Sequence, residues 1–273
     1  MVLKRCLLCG QSYERLARAH IFPRGFFNNL ETKGCIDTIT LSGVKGRRLQ
    51  NAIYDPEILC DCCEHGIMQP LDDYAIKIIR DRIGAYRISL PSQDLTGLWV
   101  FNGTNKRTLR AFIASILWRV SVSKQKELED VSVGDAYEER LRQDLVRGGE
   151  FDYVDMLLIY LTDPMHAAFL IPHRSKIQLP DRSGHMECAN GWMINFPNTN
   201  IMVSLDKRPH PIKTFLTLDS SLTGRIDGVR VSSSLQSNAH NYELVAFEST
   251  RQEKIIARIL AAASRTGAHT TPI

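Results

Sequence analysis

The sequence predicts an α+β protein, in which a small cysteine-rich module precedes a helical pair and an antiparallel, sheet-rich C-terminal region. Three observations support this prediction. Two Cys-x2-Cys motifs lie within the first 63 residues, helical spacing of apolar residues recurs between residues 104 and 147, and short apolar segments follow residue 150. We expect two domains, one at residues 1–88 and an α+β domain of unknown function at residues 89–273.

The cysteine motifs predict a structural zinc site. Cys6 and Cys9 form one motif, Cys60 and Cys63 form the other, and four thiolates complete the tetrahedral shell of one Zn²⁺. Cys62 could replace Cys60 or Cys63, although the two-residue spacing favours the first assignment. Reduced cysteines packed in a small core are the alternative to a metal. Because six of the seven cysteines are crowded into the first 63 residues, metal binding in a reducing cytoplasm is favoured over a secreted disulfide framework.

Apolar periodicity predicts four helices. The first leaves the second cysteine motif and runs from Leu71 to about Ile83. The next is the clearest amphipathic helix, with Asn102 or Thr104 as its N-cap. The third stops at Gly148, since glycine adopts the left-handed conformation easily. The second, third and fourth helices are expected at Thr104–Ser123, at Asp135–Arg147, and from Thr250 onwards.

Short apolar segments bounded by Pro, Gly, Asn and Asp predict the strands. A connector with one short strand joins the two domains, and the remaining strands are expected to form a largely antiparallel sheet. The segments are Leu98–Phe101, Val154–Leu161, Ala167–Ile171, Trp192–Phe196, Ile201–Leu205 and Tyr242–Phe247.

Positive charge is concentrated beside the cysteines. Residues 1–50 carry nine Lys or Arg and three acids, a net charge of +6, so the rest of the chain sums to −2. A cationic surface suits a phosphate backbone, since neutralised phosphates release counterions, whereas ordinary solvated side chains are the simpler interpretation. The residues that we expect to contact nucleic acid, with DNA favoured, are Arg18, Arg24, Lys45, Arg47 and Arg48.

The segments Arg18-Ala-His20-Ile-Phe-Pro23 and Ile58-Leu-Cys60 complete a pattern that resembles the cysteine-knuckle branch of the HNH nucleases. The resemblance covers the first third of the chain and implies a ββα-metal, treble-clef fold. The matching residues are Cys6, Cys9, His20, Pro23, Leu59, Cys60 and Cys63.

This resemblance implies that His20 is the general base that activates water, since a histidine can be neutral at pH 7. Asp55 and Glu64 stand where the family usually has Asn, and both are competent ligands of Mg²⁺ or Mn²⁺. His65 or Asn51 could substitute if the loop register differs. Alternatively, catalysis has been lost and His20 donates a hydrogen bond to a backbone carbonyl.

The leading hypothesis is therefore a metal-dependent endonuclease that hydrolyses DNA phosphodiester bonds, an arrangement suited by analogy to defence against foreign DNA. The alternative is a non-catalytic, zinc-stabilised module that binds nucleic acid or protein. We expect a cytoplasmic protein without membrane attachment, because no run reaches about 18 apolar residues. The C-terminal region offers no site and is where we expect any homo-oligomer or protein partner contact.

Overall fold

The computed structural model describes the greater part of the chain up to residue 208 and two short segments beyond it, and its fold is α+β, as predicted. The helix expected from Thr250 lies outside the described residues. The described residues are 3–27, 36–39, 45–49, 53–89, 95–101, 104–161, 168–170, 172–180, 186–196, 199–206, 208, 242–247 and 270–271.

The strands of the described residues run from the first cysteine motif to residue 271. They are β1 (Lys4–Arg5), β2 (Ser12–Tyr13), β3 (Ala19–His20), β4 (Ile36–Ile39), β5 (Lys45–Leu49), β6 (Tyr54–Asp55), β7 (Ala85–Ser89), β8 (Leu95–Phe101), β9 (Asp155–Leu161), β10 (Ala168–Leu170), β11 (His173–Pro180), β12 (Met186–Phe196), β13 (Thr199–Ser204), β14 (Tyr242–Phe247) and β15 (Thr270–Thr271).

Over the described ranges, these strands form four sheets. The largest has eight strands in the order β11-β12-β13-β9-β14-β8-β7-β15, and its neighbours are antiparallel except for the parallel pair β14 and β8. The prediction of a largely antiparallel sheet is therefore confirmed, except that the segment predicted at Ala167–Ile171 forms β10 of another sheet. Two-stranded antiparallel pairs join β1 with β2 and β3 with β6, while β4 pairs with β5 and, in parallel, with β10.

The first helix, α1, is one continuous helical stretch over residues 61–80 with two π-helical segments, Glu64–Met68 and Ile76–Arg80. Pro70 explains the first of them: it lacks an N–H for the carbonyl of Gly66, and its ring crowds that carbonyl, so the preceding turn widens. The helix ends three residues before the predicted Ile83, which is 57% exposed.

The other two helices, α2 (Lys106–Val122) and α3 (Asp135–Arg147), agree closely with the prediction. The α3 bounds are those expected, and Gly148 closes the helix at φ +67°. The N-cap of α2 is neither Asn102 nor Thr104 but Asn105, whose side chain accepts a hydrogen bond from the backbone N–H of Thr108 at 3.1 Å. The prediction was wrong because any polar residue at the start of a periodic segment looks like a cap.

A single cluster of buried apolar side chains contains residues from both sides of the predicted domain boundary. Phe26, in the short 3₁₀ turn Arg24–Phe27, stacks on Phe196 of β12 with ring centroids 4.1 Å apart, and on Phe112 of α2. The strand β7 itself spans the boundary and joins the eight-stranded sheet. The division at residue 88 stays a prediction, but the cysteine-rich module and the sheet share one core.

Candidate functional site

Two turns bring four cysteines together. Cys6 and Cys9 lie in the loop between β1 and β2, while Cys60 is the N-cap of α1 and Cys63 lies in its first turn. Every pair of their Sγ atoms is within 4.8 Å, and the Sγ atoms of Cys9 and Cys60 are 3.9 Å apart. The cluster could hold a metal ion. Cys62 is exposed and is not among the four, which removes it as an alternative member.

Backbone hydrogen bonds shape the first cysteine loop and join it to the second. Gly10, at φ +78°, donates its N–H to the carbonyl of Cys6 at 2.9 Å, which closes the turn. Leu7 donates its backbone N–H to the carbonyl of Ile58 at 2.9 Å, and Cys60 donates its N–H to Cys6 Sγ at 3.3 Å. N–H groups aimed at sulfur stabilise thiolates, the form that binds metal.

The thiols of the cluster differ in their pKa values. Burial raises the pKa of Cys6 and of Cys63. Burial acts on Cys60 as well, but hydrogen bonds from the Tyr13 hydroxyl and from Cys63 lower its pKa to about 7. The same contact with Cys60 raises the pKa of Tyr13. Of Cys6, Cys60 and Cys63, Cys60 therefore loses its proton most easily, and Tyr13 stays a hydrogen-bond donor.

The structure brings His20 and Glu64 together beside this cluster. Glu64 follows Cys63 directly, and its Oε1 accepts a hydrogen bond from the backbone N–H of His20 at 3.2 Å. The same oxygen lies 3.8 Å from His20 Nδ1. The Glu64 side chain is 10% exposed and its Oε2 is buried, with no hydrogen-bond partner in the described part of the chain, whereas the His20 side chain is 43% exposed.

Asp55 does not lie on the same face as His20. In the β3–β6 pair Asp55 is opposite Ala19 and Tyr54 is opposite His20, and successive side chains of a strand point to opposite faces. Asp55 is 1% exposed, and its carboxylate accepts hydrogen bonds from the Glu57 N–H, the Ser123 hydroxyl and the Lys124 N–H at 2.9, 2.8 and 3.3 Å. Its oxygens are thus used to join β6 to the end of α2.

A buried ion pair lies directly behind His20. Arg119 of α2 is fully buried and donates to both carboxylate oxygens of Asp72 in α1, at 2.7 and 3.0 Å. It also donates to the backbone carbonyl of His20 at 2.7 Å. Burial raises the pKa of Asp72, and the guanidinium of Arg119 opposes that effect. Sequence reasoning missed Asp72, although a signal was present, since Met68, Asp72, Ala75 and Ile79 form the buried stripe of α1 at helical spacing.

The expected nucleic-acid contacts lie in three separate segments of the chain. Arg18 is exposed and its guanidinium lies 3.4 Å above the ring of Tyr54, a residue that the sequence did not indicate. Arg24 is exposed at the start of the 3₁₀ turn. Lys45, Arg47 and Arg48 lie on β5. Of the alternative ligands, His65 is exposed and its Nδ1 lies 2.9 Å from Gln69 Oε1, whereas Asn51 lies outside the described residues.

Comparisons with protein families, with curated proteins and with solved structures found no match to this chain. Within the described ranges, no helix combines the length and apolar character that a membrane crossing requires.

Proposed function

We propose that the N-terminal module is a zinc-stabilised treble clef and that it hydrolyses DNA phosphodiester bonds with the help of a divalent cation. The observation that carries the proposal is the pair of His20 and Glu64, in which an accessible imidazole stands beside a buried carboxylate with one unpaired oxygen. Such an oxygen is costly to bury without a partner, so a cation bound there accounts for it.

The donor set of the cysteine cluster supports zinc. Four thiolates favour zinc or an iron–sulfur centre, and Zn–S bonds of about 2.3 Å place tetrahedral sulfurs about 3.8 Å apart. The separation of 3.9 Å between the Sγ atoms of Cys9 and Cys60 is close to that value. The hairpin loop and the helix N-terminus that supply the two cysteine motifs are also the elements from which a treble clef is built.

The chemistry follows from the placement of two side chains. His20 takes a proton from a water molecule and so prepares it to attack phosphorus. Glu64 offers its free Oε2 as the carboxylate ligand for Mg²⁺ or Mn²⁺. Such an ion, when bound, neutralises charge that develops on the phosphate. Asp55 was expected as a second ligand, but its hydrogen bonds to Ser123 and Lys124 favour a structural role.

The competing proposal is a module that binds nucleic acid without cleaving it. The placement of Asp55 on the face opposite His20 favours it, because only one of the two expected carboxylates remains beside the imidazole. This alternative predicts salt-sensitive affinity for DNA and no metal-dependent turnover.

A plasmid-cleavage assay on the zinc-loaded protein tests the proposal, with Mg²⁺, Mn²⁺ or EDTA added. We expect cleavage that requires the added metal and that falls by at least about 100-fold in His20→Ala and in Glu64→Gln. His65→Ala is the matched control, since its imidazole is exposed on the same helical stretch as Glu64. Zinc content and circular dichroism should match wild type in all three variants.

The outcomes separate the candidates. Cleavage that persists in His20→Ala removes the proposed base, and loss in His65→Ala alone transfers the role to His65. Absence of cleavage with every metal, together with salt-dependent DNA binding, supports the non-catalytic module.

A further inference from the structure

The outer face of the β3–β6 strand pair presents three side chains that are able to contact a nucleic acid. Ala19 of β3 is fully buried, so alternation places His20, and Arg18 directly before the strand, on the other face. Tyr54 is paired with His20 across the strands and is 37% exposed. Cross-strand partners on one face are close neighbours, so Tyr54 lies beside both the imidazole and Arg18.

Arg18 and Tyr54 are in direct contact. The guanidinium carbon lies 3.4 Å from the centroid of the Tyr54 ring, which is a cation–π arrangement. Among the described residues no carboxylate forms an ion pair with Arg18. Stacking on the ring engages only the flat face of the guanidinium, so its N–H donors at the edge stay available. The ring thus fixes the direction of the guanidinium and leaves its hydrogen-bonding capacity free.

The charges on this face also favour an anionic ligand. Arg18 lies on the same face as His20, and the Glu64 carboxylate, 3.8 Å from His20 Nδ1, is 10% exposed. A phosphodiester that approaches His20 therefore meets the Arg18 guanidinium held against Tyr54, while the Glu64 carboxylate is largely buried. Planar guanidinium groups bind phosphate oxygens in a bidentate manner, and a side chain ordered in advance loses less entropy when it binds.

We infer that Tyr54 is a positioning residue that holds Arg18 against the DNA backbone beside the phosphate addressed by His20. This inference rests on the proposed function for the identity of the substrate. It adds to that function the pair of residues that orients the DNA backbone. Arg18 makes the contact, and Tyr54 acts through Arg18.

A double-mutant cycle on DNA binding tests the inference. The full-length, zinc-loaded chain is titrated with a short fluorescein-labelled DNA duplex in a buffer that lacks Mg²⁺ and Mn²⁺, so that binding is measured without turnover. We expect Arg18→Ala to weaken binding by about ten-fold and to reduce the slope of log K against log salt by about one.

Tyr54→Leu should weaken binding by about three-fold when Arg18 is present and should have no effect in the Arg18→Ala background. Tyr54→Phe keeps the aromatic ring and should bind as wild type does, a rescue that distinguishes positioning of Arg18 from loss of the phenol. Tyr54→Thr provides a second truncation that suits a strand if the leucine variant misfolds. Arg147→Ala, which removes an exposed arginine of α3, is the matched charge control and should change affinity less than Arg18→Ala.

Three results would overturn the inference: equal losses from Tyr54→Leu in both backgrounds, an unchanged salt slope in Arg18→Ala, or no binding of the duplex by wild type. The inference and the proposed function fail separately. If the double-mutant cycle gives the expected result but the cleavage assay shows no turnover, the role of Tyr54 and Arg18 in DNA binding is supported and the nuclease proposal is rejected. If wild type cleaves DNA but Arg18→Ala binds DNA normally, the nuclease proposal is supported and the role of Tyr54 and Arg18 is rejected.

Discussion

Arg119 joins distant parts of the sequence beside His20. Its side chain is fully buried, yet it donates hydrogen bonds to Asp72, to the His20 carbonyl and to Ser115. A buried guanidinium is tolerated only when its donors are paired, and here the partners come from β3, α1 and α2. Arg119 therefore holds the backbone at His20 in place from behind.

Removal of Arg119 alone should be severely destabilising. We expect Arg119→Met to lower the free energy of unfolding by about 3–5 kcal/mol, because Asp72 would be left as an uncompensated buried carboxylate. The double variant Arg119→Met with Asp72→Leu should recover a large part of that loss, since no buried charge remains. Urea denaturation followed by circular dichroism measures both values. Equal stability of the single and double variants would show that Asp72 is not the group that Arg119 neutralises.

Also at the residue scale, the face of the strand on which a predicted residue lies determined whether it is close to His20. The resemblance of the N-terminal segment to the HNH nucleases implied that His20, Asp55 and Glu64 form one site. The structure keeps His20 with Glu64 and turns Asp55 towards Ser123, since the register of β3 with β6 sets Asp55 opposite Ala19. A shift of one residue in that register would have reversed the result, and local sequence does not determine register.

Among the elements, the helices were predicted best. Periodicity located α2 and α3 to within two residues, because each buries one face against a common core over several turns. The π segments of α1 were not predicted, although Pro70 within the helix is a local cause of the first one. Three strands of the eight-stranded sheet, β7, β11 and β15, were not predicted. The strand β11 lies at one edge of the sheet and carries the charged residues Arg174 and Lys176. Edge strands commonly carry charged side chains, so apolar patterning did not reveal it.

The N-cap of α2 allows a test at the element scale. Asn105→Ala should lower the free energy of unfolding by about 1 kcal/mol, because the Thr108 N–H loses its side-chain acceptor. The adjacent Thr104→Ala is the matched control. Its hydroxyl oxygen is buried without a hydrogen-bond partner in the described structure, so its removal should cost little. Thermal unfolding of both variants measures the difference, and a larger loss from Thr104→Ala would contradict the cap assignment.

At the scale of the whole molecule, the cysteine cluster belongs to the core of the chain. Cys6, Cys60 and Cys63 are members of the same buried cluster as Phe112 and Ile194. Further links reach the module from outside it: Tyr160 of β9 donates its hydroxyl to the carbonyl of Ile79 at 2.7 Å, and Arg142 of α3 donates to the carbonyl of Leu8 at 2.7 Å. If the cluster holds a metal as proposed, loss of that metal should destabilise the chain beyond residue 88 as well.

The three tryptophans make this expectation measurable. Trp99, Trp118 and Trp192 are buried, and all three lie after residue 88. Cys60→Ser should abolish binding of one zinc per chain and lower the melting temperature seen by tryptophan fluorescence by roughly 4–8 °C, since binding free energy is linked to folding.

Cys62→Ser is the control for that experiment, because Cys62 is exposed and outside the cluster. It should keep wild-type zinc content and melting temperature. A tryptophan transition unaffected by Cys60→Ser, with zinc lost, would instead show that the module unfolds independently of the sheet, as a strict two-domain division predicts.

The sequence by itself determined the α+β class, the positions of α2 and α3, and the four cysteines that come together, because periodicity and the Cys-x2-Cys spacing act within a few residues. Only the tertiary structure decided that Asp55 faces away from His20, that Tyr54 lies under Arg18, and that Asp72 receives Arg119. Each of these contacts joins residues about 35 or more positions apart. Strand register and helix packing set them, and both depend on how the whole chain buries its apolar surface.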